Sequence, residues 1–268
     1  MNSPLSQVAG RYREWEPAVA LRDHVYRVWE NDLARSSGEE YRVVPDGCVD
    51  ILWTGANLLV AGPDTHPIVE KVQPGSRVIG LRFFPGAAHR WLGVPLSEIL
   101  NRRVPLEEFW KADAGALADR LSAAQSISVS TTILQQGLIQ RLVSVGQADS
   151  QIAFLRRRAA GLKGDLDIRG IRDLSRRLGI SERTLRRRCL DAYGYGYKTL
   201  QRILRFQRLF GLVRLSKYPN LADLAADAGF ADQAHMTREM SLLCGATPTW
   251  LVAQLVGWPI SSRRVCEL

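Results

Sequence analysis

Arg183, Arg186 and Arg187 have the i, i+3, i+4 spacing that puts three side chains on one face of an α-helix. A guanidinium can donate two parallel hydrogen bonds to O6 and N7 of guanine, and an α-helix fits the major groove of B-DNA, so this row offers base-reading chemistry. Arg176, Arg177 and Arg188 fall off that line. With Ser181, Lys198 and Arg202 they suit phosphate oxygens, which fix a protein on the duplex without reporting sequence. The competing reading is that all of these arginines serve phosphates or only solvate helix faces.

Cys48 and Asp50 form the other pair of reactive types, a thiol nucleophile with a carboxylate helper, and are also the candidates for touching an effector. No histidine lies near them in sequence, and a cysteine in a buried strand is ordinarily an inert packing residue. His66 and His89 are isolated, and His235 has no histidine or cysteine one turn away. Cys48, Cys189, Cys244 and Cys266 are far apart and form no C-x-x-C pair. Neither a metal, a disulfide framework nor a cofactor is therefore expected.

The elements that must position the arginines come from an internal repeat. Ile171 to Ser181 aligns with Leu221 to Ala231 at an offset of fifty, with Asp173 on Asp223, Leu174 on Leu224 and Gly179 on Gly229. Beyond the glycine the offset becomes fifty-one, so one residue is inserted before the second repeat's following helix: Leu185 falls on Met236 and Cys189 on Met240. Repeats of this size are commonly supersecondary modules packed side by side. Each unit reads as a short helix with apolar residues at i, i+3 and i+7, a glycine suited to a left-handed C-terminal turn, and a second helix. Ser175 or Ala225, one turn before the glycine, lets the two helices cross closely, as a helix-turn-helix requires.

Ser181 can cap the second helix of the first unit, with Glu182 in its first turn. Leu185 and Cys189 then face the core and turn Arg183, Arg186 and Arg187 outward. In the second unit Met236 and Met240 face inward, which leaves Gln233, Thr237 and Arg238 as base-reading candidates, beside Ala234. Lys198 to Leu215 reads as one long amphipathic helix between the units. Two groove-entering helices must sit about 34 Å apart to reach successive major grooves, so a stiff connection matters.

Charge agrees with this placement. Residues 1–150 carry 15 basic and 17 acidic groups, whereas residues 165–217 carry 14 basic and 5 acidic. A basic surface of that density favours polyanions, because each neutralised phosphate releases condensed counterions.

At this point residues 163 to 255 resemble the AraC/XylS family of transcriptional regulators. The resemblance rests on the paired units, on Arg205-Phe-Gln-Arg208 in the joining helix, on Ala225-Ala-Asp-Ala-Gly-Phe-Ala-Asp-Gln-Ala-His235, and on Gly245-Ala-Thr-Pro248. It implies a sequence-specific regulator, not an enzyme, that binds promoter or operator DNA. RNA polymerase, a second copy of the chain, and a small-molecule effector or protein are the partners compatible with it.

Arg42 to Trp53, Leu58 to Pro63 and Arg77 to Phe84 are alternating or apolar runs broken by turn residues and read as strands. From Gly86 the patterns become helical, clearest over Val129 to Val145. The segments Pro45-Asp-Gly-Cys-Val-Asp50 and Leu81 to Glu98 resemble an uncharacterised N-terminal domain that accompanies some AraC-like regulators, which implies sensing of an effector or partner.

The expected fold class is α+β: residues 1–158 form a regulatory domain (β-rich over 10–84, helical over 86–158). Residues 163–256 form an all-α domain of two helix-turn-helix units joined by a long helix, and 257–268 a tail. With 46% hydrophobic and 24% charged residues, a chain of 268 can bury two cores. No run approaches 18 uncharged apolar residues and Met1 to Arg13 is not a signal sequence, so a cytoplasmic protein without membrane contact is expected. Two other classes remain open: a DNA-associated repair or redox enzyme using Cys48, and a nonspecific architectural DNA binder.

Overall fold

The structure is a computed structural model that describes residues 5–6, 10–33, 40–71, 75–160, 171–215 and 220–255. The expected start of the C-terminal domain at 163 and the tail 257–268 lie outside the described residues.

The N-terminal half is built on strands β1 (Arg11–Trp15), β2 (Val25–Asp32), β3 (Glu40–Val43), β4 (Asp50–Trp53), β5 (Leu58–Ala61), β6 (Ile68–Lys71), β7 (Arg77–Phe83) and β8 (Arg103–Pro105). Six of them form an antiparallel sheet in the order β1-β2-β7-β4-β5-β8, and β3 pairs with β6 in a separate ribbon. β8 lies in the stretch whose pattern reads as helical; three residues are too few to show a period of two, and only pairing with β5 through Val60 and Val104 reveals it.

The period-two alternation sorts the sheet's side chains by face. Ile51, Trp53, Val60, Ile79, Leu81 and Phe83 point to one side, where helices cover them. These helices are α1 (Ala88–Leu92), α2 (Glu107–Trp110), α3 (Ala112–Ser122) and α4 (Ile127–Val145). Trp91, Leu117, Leu134 and Leu138 are the buried knobs, each contributing about 1.5–3 kcal/mol by leaving water. The buried indoles are hydrogen-bonded: Trp91 Nε1 donates to His24 Nδ1 (3.2 Å) and Trp110 Nε1 to the Trp91 carbonyl (2.9 Å).

The C-terminal half contains α5 (Ser150–Ala159), α6 (Ile171–Arg177), α7 (Glu182–Tyr193), α8 (Tyr197–Leu215), α9 (Leu221–Ala228), α10 (Gln233–Cys244) and α11 (Pro248–Leu255). Helix α8 is their common spine. It buries Leu200, Ile203, Leu204, Phe206, Leu209, Phe210 and Val213 and packs against α5, α7, α9, α10 and α11. Leu5 and Val44 from the N-terminal half belong to the same core, so the two halves are packed together.

Candidate nucleic-acid interface

Local chemistry explains each half of the repeat. Helix α6 ends where Gly179 takes φ +63°, a left-handed conformation that glycine adopts without the steric cost of a Cβ. The amide of Ile180 then donates to the carbonyl of Ser175 (3.0 Å). Ser181 Oγ accepts from the Thr184 amide (3.1 Å) and so caps α7, as its position predicts. The second unit repeats the device: Gly229 has φ +85°, Phe230 N donates to Ala225 O (2.8 Å), and Asp232 Oδ1 accepts from His235 N at 2.6 Å. Asp232 was not singled out from the sequence, yet it lies fifty-one residues after Ser181, so the inserted residue falls between Gly229 and this cap.

Helix α7 buries Leu185, Cys189, Ala192 and Tyr193 and exposes Arg183, Arg186 and Arg187. The three arginines therefore share an open face. Arg183 and Arg187 make no ion pair with a described residue, whereas Arg186 Nη2 lies 3.5 Å from Glu182 Oε2, which also faces Arg172 at 3.5 Å through Oε1. Pairs this exposed contribute about 0–1 kcal/mol, small beside a charge-assisted contact to a base or phosphate.

The phosphate candidates divide. Lys198 is exposed, and among the described residues Arg176 pairs only with Asp173, at the surface and 3.4 Å away. Arg177 lies over the Phe154 ring, Arg188 Nη1 donates to Gln151 Oε1, and Arg202 Nε donates to Glu239 Oε2 at 2.7 Å. Arg202 thus links the joining helix to α10.

In the second unit Met236 and Met240 are fully buried, Gln233, Ala234 and Arg238 are exposed, and Thr237 is half-buried with its hydroxyl donating to the Gln233 carbonyl (2.9 Å). His235 is a packing residue. Its ring meets Phe230 edge-on at 5.5 Å, and Nδ1 accepts from the Ala231 amide.

The N-terminal half touches this machinery through residues whose role sequence reading missed. Arg42 on β3 is only 3% exposed; its Nη1 donates to the carbonyls of Cys244 (2.7 Å) and Gly245 (3.1 Å), and its guanidinium lies 5.1 Å from the centre of the Trp250 ring. Those carbonyls belong to the unpaired C-terminal end of α10, where a cation is favoured by the helix dipole. Gln207 Nε2 on α8 donates to Pro45 O (2.7 Å). Nothing in the local pattern around Arg42 signals a partner two hundred residues away.

Cys48 does not line the cavity that Asp50 enters. Cys48 is buried, its sulfur 3.9 Å from the Asp46 carbonyl. Asp50 points to the other side of the six-stranded sheet, into a cavity of about 370 Å³ between that sheet and the β3–β6 ribbon. There Arg82 grips it through Nε (3.1 Å) and Nη2 (2.9 Å), and Trp29 Nε1 donates to it at 3.2 Å.

Comparison with known proteins matches two separate segments of the chain. Residues 13–105 match a family described as a domain of unknown function (DUF6597), and residues 174–253 match one described as a helix-turn-helix domain. No curated protein matches the chain in sequence. Among solved structures it is similar to apo ToxT from Vibrio cholerae, at 11% identity and a TM-score of 0.46, with 90% of this chain and 100% of that one covered. A second ToxT structure from Vibrio cholerae gives 11% and 0.43 over 92% and 97%. ToxT from Vibrio cholerae with an unsaturated fatty acid bound gives 9% and 0.43 over 91% and 98%.

Proposed function

We propose that this chain, whose residues 174–253 are a helix-turn-helix domain of the AraC/XylS type, is a sequence-specific DNA-binding transcriptional regulator that answers to an effector through its N-terminal half. One observation carries the reading. Two glycine-terminated, side-chain-capped units pack on the single helix α8, and each keeps one face of its second helix exposed while the opposite face is buried.

On this reading Arg183, Arg186 and Arg187 enter the major groove and donate to guanine, and Arg176 and Lys198 hold phosphates. The second unit offers one cation, Arg238, with Gln233 and Thr237 beside it, so it adds shape and modest base preference more than charge. An architectural binder would not need the row at i, i+3, i+4. The burial of Cys48 speaks for its packing role, since a reacting thiol must reach its substrate.

The test compares Arg187→Ala with the unaltered protein on a selected site and on random DNA. Loss of a bidentate guanine contact removes about 1–3 kcal/mol from the specific complex and less from the nonspecific one. Equal losses on both DNAs would mean that Arg187 grips phosphate instead.

A further inference from the structure

Helix α4 buries Ser130, Thr131, Leu134, Leu138 and Val145 on its core side and turns a second row to solvent. Val129, Thr132, Gln136, Ile139 and Val143 are all exposed, and their steps of 3, 4, 3 and 4 residues average about 3.5. A row of that period runs along the helix axis, as the a and d positions of a coiled-coil seam do, instead of spiralling round it. Exposed apolar surface gathers here. Of the eight large apolar side chains exposed among the described residues, Val129, Ile139 and Val143 (93%) lie on this row and Val19 (77%) lies beside it. Val19 belongs to a single turn, Val19–Leu21, that packs on α4, with the Ala18 amide donating to Gln135 Oε1 at 2.7 Å. One exposed valine is ordinary on a surface, whereas a contiguous group marks a face that something covers.

Charge decides what kind of partner fits. In a chain that is 24% charged, the 19 residues of α4 include a single charged side chain, Arg141. It turns away from the row, 4.8 Å from the centre of the Trp110 ring and 3.1 Å from Asp113. Arg120 of α3 does reach the row, where its Nη2 donates to Gln136 Oε1 (3.0 Å), but it is exposed and solvent screens it. The wet face of a surface helix ordinarily carries charges. A two-fold axis sets each residue against or near its own counterpart, so a charge on the seam would meet a like charge, and a neutral row avoids that repulsion. A protein partner of opposite charge, or an anionic lipid surface, would instead select a charged row or a cationic rim. Gln136 stands midway between Val129 and Val143, seven residues from each, so it meets its own counterpart whether the two helices run parallel or antiparallel.

We propose that α4 is the seam of a symmetric dimer, in which Val129, Ile139 and Val143 pack on the same row of a second copy of this chain and Gln136 bonds Gln136 of the partner subunit at the two-fold axis. Arg120 uses one lone pair of the Gln136 oxygen, which leaves the second lone pair and the amide N–H groups for that bond. A polar residue at one seam position fixes the register at a cost in affinity. From Val129 to Val143 the seam is about 21 Å long, at about 1.5 Å per residue. Even with Val19 at its flank this is short of the roughly 1,600 Å² of a standard interface, so the dimer dissociates in the micromolar range. The proposal stands on α4 and its neighbours and does not depend on the DNA reading.

The experiment is sedimentation velocity on the full-length protein, without DNA, across the micromolar range. The sedimentation coefficient rises with concentration from the monomer value toward the dimer value. Ile139→Asp combined with Val143→Asp raises the dimer dissociation constant at least tenfold, and because both side chains are exposed the thermal unfolding transition stays cooperative. Gln136→Cys supplies a proximity test. With Cys266→Ser in the background, mild oxidation by a copper–phenanthroline complex links two copies at least tenfold faster than it does for Glu108→Cys, an exposed position on α2. A protein that stays monomeric throughout the range, a dimer that the paired aspartates leave intact, or cross-linking no faster from Gln136→Cys than from Glu108→Cys overturns the proposal.

Discussion

Neighbouring arginines on one helix acquire different jobs from the direction in which burial turns them. Arg187 and Arg188 are adjacent in sequence, yet Arg187 is exposed and unpaired among the described residues, while Arg188 leans back onto Gln151 of α5. The exposure of Arg187 was legible, because the i, i+4 pair Leu185 and Cys189 fixes which side of α7 is wet; the bond of Arg188, expected at phosphate, to Gln151 was not. The cap Ser181 was legible for the same reason: capping is local and its residue preferences are strong. Asp232 escaped notice because the inserted residue displaces it from the aligned position, although its role matches that of Ser181. Replacing Asp232 with Ala should cost about 1 kcal/mol of stability, read by urea denaturation, and lower DNA affinity through fraying of α10. Unchanged stability would show that its bond to the His235 amide is replaced by water without loss.

Among the elements, α8 and the β3–β6 ribbon make the contacts that join distant parts of the chain. The long helix was predicted from its amphipathic period, and it serves as the shared support of both units. Truncating a buried knob of a unit, as in Met236→Ala, should cost about 2–5 kcal/mol and remove DNA binding together with cooperative unfolding. The ribbon was scarcely legible. The run Arg42 to Trp53 merges the end of β3 with β4, Ile68–Lys71 lies in none of the runs read as strands, and the ribbon's separation from the main sheet comes from long-range pairing that no local pattern encodes. Alternation also sets Tyr41 and Val43 toward the cavity and Arg42 toward α10, so one strand touches both the cavity and the C-terminal end of α10. Replacing Arg42 with Ala should therefore speed hydrogen exchange in the last turn of α10 and in α11 while leaving α7 protected. Equal exchange in the two proteins would deny that β3 braces the second unit.

For the whole molecule the uneven charge and the shared core matter most. The basic groups concentrate in residues 165–217, so DNA affinity should fall steeply with salt, at a slope of about −0.9 per neutralised phosphate. Arg176→Ala should flatten that slope by about one unit without changing which sequence is preferred. Two cores were anticipated from length, but not their arrangement, since Leu5 and Val44 join the helical core from the N-terminal half. Such joining is invisible to periodicity, which reports a residue's face and not its partner.

The central claim is that two capped helices on one rigid support read a single duplex. Selection of bound sequences from a random DNA pool tests it most directly. The account predicts an enriched site with a guanine-containing patch read by α7 and a second, weaker patch about 34 Å, one helical turn, away. Arg187→Ala should erase only the first patch. A pool that remains random after repeated selection, though DNA is bound, would contradict the account.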